Sequence, residues 1–184
     1  MKYEDFFYSP IQIKDDFDIR LATVLEQLKN CWEPYGRSKT LMYSTTDDAE
    51  LATLENIDNP AIDTHTTLFK DVYNFLEQGL TLPAKLDGTI RFFKLPAGAR
   101  FTPHYDNPKC AIIFHFNKPD PISFYDEKGE KIYEATYKFA LLNTSIKHGI
   151  EETLTDRIWF KISISRFSYF QMREILYLRG LLAL

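Results

Sequence analysis

Beyond Pro83 the chain breaks into short runs rich in β-branched and aromatic residues, each closed by a turn signal. Closely spaced short strands of this kind build a sandwich or a barrel. The expected strands are Thr89 to Leu95, Phe101 to His104, Ala111 to Phe116, Ile122 to Tyr125, Lys131 to Ala135, Phe139 to Asn143 and Arg157 to Ser165. Between them lie Pro96-Ala97-Gly98, Asn117-Lys118-Pro119-Asp120-Pro121 and Asp126-Glu127-Lys128-Gly129, all turn formers. Helical spacing returns from Ser168 to Leu184, where Phe170, Ile175, Leu178 and Leu182 are expected to form a buried stripe.

The first half reads differently. Phe17, Leu21, Val24, Leu25 and Leu28 recur at helical spacing between Asp15 and Asn30, with Asp15 or Asp16 placed to cap the first turn. A second helix is expected from Thr66 or Thr67, with Leu68, Phe69, Val72, Phe75 and Leu76 on one face and Gly79 at its end. Residues 36–64 are polar and mixed, with a short strand expected at Tyr43 to Thr46 and a long loop over 47–64. The predicted organisation is a single domain over 1–184, with helical support in 1–88, a strand-built core in 89–165 and a closing helix in 166–184. The fold class is mainly β with flanking helices, in two packed layers.

Composition excludes several classes of function. Hydrophobic residues at 45% and aromatic residues at 15% supply a full core, which disfavours disorder. No apolar run has the roughly 18 to 20 residues needed to cross a bilayer. The net charge of −4, with no dense basic stretch, makes nucleic acid an unexpected partner. Cys31 and Cys110 lie far apart and outside any zinc-type spacing, so a reducing, cytoplasmic setting is expected. The N-terminal MKYEDFFYSPIQI sets acids beside aromatics, unlike a secretory signal, and is expected to belong to the fold.

Chemistry concentrates on His104-Tyr105-Asp106 and on His148. In an extended chain, residues two apart point to the same side, so the imidazole and the carboxylate can converge on one ion. His148 follows after several expected strands, enough chain to cross the sandwich and return. Two histidines and one carboxylate on one face of an ion are the donor set of non-haem Fe(II) oxygenases. Downstream, Arg157, Trp159, Lys161 and Ser163 alternate with Ile158, Phe160, Ile162 and Ile164, so one face of this strand is aliphatic. If that face meets the helices, Arg157 and Trp159 point between the sheets, where a dicarboxylate would offset the cost of burying a guanidinium. Plainer roles compete: a surface turn at His104 and Asp106, and an ion pair of Arg157 with Asp156, Glu151 or Glu152. His115 and His65 read as structural residues, and Arg91 as a sheet-edge ion pair.

The segment RFFKLPAGARFTPHYD from Arg91 to Asp106, with KHGIEETLTDRIWFKI from Lys147 to Ile162, resembles the Fe(II)/2-oxoglutarate-dependent oxygenases. Within them it is most similar to the aspartyl/asparaginyl β-hydroxylase-like branch, over roughly residues 89–165. The resemblance implies a double-stranded β-helix (jelly roll, cupin-like) in which His104, Asp106 and His148 bind Fe(II). It implies that Arg157 grips 2-oxoglutarate, with His115 and Trp159 as further co-substrate contacts. Trp159 stands where the wider superfamily often has a serine. The implied reaction uses O₂, converts 2-oxoglutarate to succinate and CO₂, and hydroxylates an amino acid, free or within a protein. A homodimer through the C-terminal helix is also considered, without nucleic acid or membrane. The alternatives are a cupin-like enzyme using another divalent metal and a non-catalytic β-sandwich binding module.

Overall fold

The computed structural model describes residues 2–12, 33–34, 50–53, 90–107, 109–117 and 121–182, with the isolated positions 19, 22, 23 and 26. Their strands are β1 (Tyr8–Pro10), β2 (Glu33–Pro34), β3 (Glu50–Thr53), β4 (Ile90–Leu95), β5 (Phe101–His104) and β6 (Cys110–His115). They continue with β7 (Ile122–Tyr125), β8 (Lys131–Ala135), β9 (Phe139–Leu142), β10 (Lys147–Ile150) and β11 (Arg157–Ile164), and the chain closes with helix α1 (Tyr169–Leu178). They pair into two antiparallel sheets, one in the order β1-β9-β6-β11-β4-β3-β2 and the other β5-β10-β7-β8. This is a jelly roll, as the resemblance implied, and it satisfies the sandwich or barrel expected from the strand pattern.

The burial of β6 shows why these runs become strands. All six of its residues are buried, because β6 is central in its sheet and covered on both faces. Ala111 and Ile113 join the core between the sheets, while Phe114 packs on Phe160 and Phe139. Helix α1 lies against β6 and β9. β11 behaves as its alternation predicts: Trp159 belongs to the core between the sheets, and Phe160, Ile162 and Ile164 are buried on the other face.

Four readings need correction. The loop expected over 47–64 contains β3, which pairs with β4. The stretch around His148, assigned to no strand, is β10, whose Lys-His-Gly-Ile carries too little β-propensity to stand out. Arg91 is on β4, an internal strand between β11 and β3, so its backbone is at no sheet edge, and its side chain lies outside the described residues. The last helix ends at Leu178, short of the expected Leu184, and its stripe is out of phase: α1 buries Tyr169, Met172 and Leu176, whereas Phe170 and Leu178 are 44% and 74% exposed; Leu182, beyond the helix, is buried as expected. Tyr169 turns inward because its hydroxyl has partners there, donating to Asp5 O at 2.8 Å and sharing a 2.8 Å hydrogen bond with Ser9 Oγ. A buried tyrosine hydroxyl usually finds such a partner.

The N-terminal segment belongs to the fold, as expected: β1 pairs with β9, and Arg173 of α1 reaches Asp5 at 3.1 Å. The four isolated positions are helical, in keeping with a helix over Asp15 to Asn30, and Thr23 Oγ1 donates to Ile19 O at 3.0 Å. The rest of that helix, the second helix from Thr66 and the strand at Tyr43 to Thr46 lie outside the described residues.

The contact of β5 with β10 is unusually close. A Cβ added at Gly149 would stand 2.8 Å from Phe101 O and 3.1 Å from Pro103 N, both unyielding backbone atoms. Gly149→Ala is therefore expected to force the two strands apart and to destabilise the protein by about 1–3 kcal/mol. Urea unfolding of the two proteins measures this; an unchanged midpoint would contradict it.

Candidate metal centre

His104 ends β5 and His148 sits on the neighbouring β10, and the antiparallel register makes them direct cross-strand partners. Their ring centroids are 4.7 Å apart. Asp106 follows just beyond the end of β5, where its backbone N–H donates to Thr144 O at 3.3 Å. One ligand atom from each of His104, Asp106 and His148 lies within 4.8 Å of the others.

The second nitrogen of each ring sets what the first can do. His104 Nδ1 donates to Thr102 O at 2.8 Å, and His148 Nδ1 donates to Ile146 O at 2.9 Å. Such an outer bond orients a metal-binding imidazole and leaves Nε2 to act as the ligand. His148 is fully enclosed, and burial moves its pKa down against the pull of Asp106, which favours the neutral ring a metal requires. The Nε2 atoms face Asp106, His104 at 3.7 Å from Oδ1 and His148 at 3.6 Å from Oδ2. These separations are too long for hydrogen bonds, yet short enough for one cation to touch all three groups. The donor set fits a divalent ion with open positions.

Asp106 is held ionised. Burial alone would raise its pKa, but the Lys161 ammonium and the two imidazoles outweigh it and hold the carboxyl far below the usual range. Lys161 Nζ donates to Asp106 Oδ2. Beside these residues a small cavity of about 40 Å³ is lined by Phe93, Phe101, Ile113, Trp159 and Lys161 among others. Trp159 stacks on Phe93 with ring centroids 5.0 Å apart.

No protein-family model matches the sequence, and neither does any curated protein. Solved structures do resemble it. A prolyl-4-hydroxylase from Pseudomonas putida aligns at TM-score 0.53 and 13% identity, over 88% of this chain and 92% of that one. A prolyl hydroxylase from Trichoplax adhaerens, in complex with a hypoxia inducible factor oxygen degradation domain peptide fragment, gives TM-score 0.54 and 10% identity over 93% and 85%. A 2OG-Fe(II) oxygenase family oxidoreductase from Burkholderia pseudomallei gives 0.53 and 10% over 82% and 79%. The likeness is one of fold. None of these three carries the description of the aspartyl/asparaginyl branch.

Arg157 lies outside the lining of that cavity, beyond Trp159, whose ring it approaches at 5.6 Å. It is 2% exposed, and its Nη2 is 3.3 Å from His115 Nε2. Of the acids considered for it, Glu151 pairs with Lys131 at 2.9 Å and Asp156 accepts from Ala97 N at 3.1 Å. Tyr137, absent from the candidates read in the sequence, adjoins His115 with ring centroids 5.2 Å apart. The Tyr137 hydroxyl and His115 Nδ1 are buried without a hydrogen-bond partner among the described residues. Nothing in the spacing marks Tyr137; alternation puts Lys161 on the face of Arg157 and Trp159 but does not name Asp106 as its partner, because each acquires its neighbours only when the sheets close. His65 lies outside the described residues.

Burial, helped by the Arg157 charge, holds the His115 pKa well below 6.5. Its imidazole stays neutral in the folded protein while the unfolded chain takes up a proton, so folding stability falls as pH drops below 6.5. The slope for one such group is at most about 1.4 kcal/mol per pH unit. His148 shifts in the same direction, whereas Asp106 contributes stability lost only below its ordinary value of 3.8. Metal-free protein is expected to lose stability from pH 6.5 downward, and His115→Asn to flatten that decline. Denaturant unfolding across this range measures both, and equal slopes would contradict the assignment.

Proposed function

We propose that the chain is an Fe(II)/2-oxoglutarate-dependent oxygenase that hydroxylates an amino acid, free or within a peptide, and that its domain spans residues 1–184. The observation that carries the proposal is the convergence of His104 Nε2 and His148 Nε2 on Asp106 at distances that one shared cation would bridge. Those three residues would hold the metal. When bound, Fe(II) with 2-oxoglutarate and O₂ supplies the oxidising power, and the co-substrate leaves as succinate and CO₂.

The protein's own share is positioning and exclusion. Thr102 O and Ile146 O aim the two imidazoles. Phe93, Phe101, Ile113, Ile122, Leu142, Ile150 and Trp159 make an apolar wall that keeps water from the reacting centre. Arg157 would take the distal carboxylate of 2-oxoglutarate, with the orphaned Tyr137 hydroxyl and His115 beside it as further polar contacts and Trp159 as the flat surface along which the co-substrate lies. The oxygenase-like fold supports this reading, and the peptide held by the Trichoplax enzyme favours a peptidyl substrate.

Anaerobic titration with Fe(II) and then 2-oxoglutarate tests it. The expected result is a visible charge-transfer band, absent in His148→Ala and needing at least about ten times more 2-oxoglutarate in Arg157→Ala, as loss of a charge-assisted pair predicts. Bound iron with no band would reject the co-substrate, and no iron binding would reject the metal site.

A further inference from the structure

We infer that Lys161 is a positioning residue that sets the orientation of the Asp106 carboxylate for metal binding. The inference rests on the reading of His104, Asp106 and His148 as a metal site. The two histidines are oriented by their own strands, since each Nδ1 bonds a carbonyl two residues earlier in the same chain segment. Asp106 has no such local support: it lies past the end of β5, and what grips its carboxylate comes from the opposite sheet. Lys161 lies on β11 of the larger sheet, reaches across the cavity and donates to Oδ2. The contact is sheltered, with the two side chains 13% and 14% exposed. With Oδ2 engaged, Oδ1 remains on the His104 side.

Two effects of this ammonium oppose each other. As a like charge beside a cation site it lowers metal affinity; as the anchor of a ligand carboxylate it raises affinity by removing the freedom of that ligand to turn away. The second prevails in this geometry, because Asp106 is largely buried and, without Lys161, its carboxylate would keep only the two imidazoles at 3.6–3.7 Å, too far to fix its orientation by hydrogen bonds. Removing the outer hydrogen-bond partner of a metal ligand typically weakens binding by about 10–100-fold.

The test is calorimetric titration of the metal-depleted full chain with Mn²⁺, and with Fe(II) under anaerobic conditions, without co-substrate. Lys161→Met is expected to weaken metal binding at least about tenfold, and Lys161→Arg to recover most of it, because Arg keeps both the charge and the donor. Thermal unfolding of each metal-free variant checks that it is folded; should Lys161→Met fail to fold, Lys161→Gln, which keeps a donor without the charge, takes its place with the same expectation. Unchanged or tighter binding in the folded Met or Gln variant would overturn the inference and leave the metal site standing. A variant that binds metal as the wild type does but loses affinity for 2-oxoglutarate would also overturn it, assigning Lys161 to the co-substrate instead. Failure of the wild type to bind either metal would overturn the metal reading and this inference with it.

Discussion

The pairing of β5 with β10 is the constraint on which the site depends. It makes His148 the direct partner of His104 and brings their rings to 4.7 Å. One residue on, Gly149 lets the strands approach where any side chain would strike the backbone of Phe101 and Pro103. The smaller sheet therefore supplies two potential ligands in one register, and Asp106 joins them because it follows His104 by two residues. A slip of that register by one residue would turn His148 to the other face of the sheet and abolish the cluster.

The larger sheet contributes charge. Its strand β11 presents Arg157, Trp159 and Lys161 along one face, and the fold distributes these among different tasks. Lys161 reaches Asp106, Trp159 forms part of the apolar wall, and Arg157 lies beyond it with His115 and Tyr137. A buried cation is adverse unless it meets polar or anionic groups. In this arrangement Lys161 meets the Asp106 carboxylate, and Arg157 Nη2 lies 3.3 Å from His115 Nε2. The tie from Tyr169 and Arg173 to Asp5 and Ser9 performs a structural counterpart at the rim, holding β1 and α1 together.

Much of this was legible. Strands β5, β7 and β8 have the boundaries read from the residues, and β4, β6, β9 and β11 differ by a residue or so at an end. The face of β11 that turns inward was readable because alternation in a central strand separates aliphatic from mixed positions. β10 was not, since four residues including a glycine carry no periodic signal. Nor was the phase of α1: Phe170, Ile175 and Leu178 fit a helical stripe as well as Tyr169, Met172 and Leu176 do. What chose between them was a hydrogen bond from Tyr169 to Asp5, which lies at the far end of the chain.

The sequence by itself determined the class of fold, because strand length, turn residues and alternation are local properties that each segment carries alone. It also determined which residue types were available for metal chemistry, and that Asp106 would accompany His104. Only the tertiary structure decided that His148 stands opposite His104, that Lys161 holds Asp106, and that Tyr137 joins Arg157 and His115. Each of those pairs is separated by many residues and meets only through sheet register and the closure of one sheet over the other. Burial then gave them their chemistry, since the Asp106 carboxylate and the His115 and His148 imidazoles acquire their shifted proton affinities where water is removed and a charged partner is near.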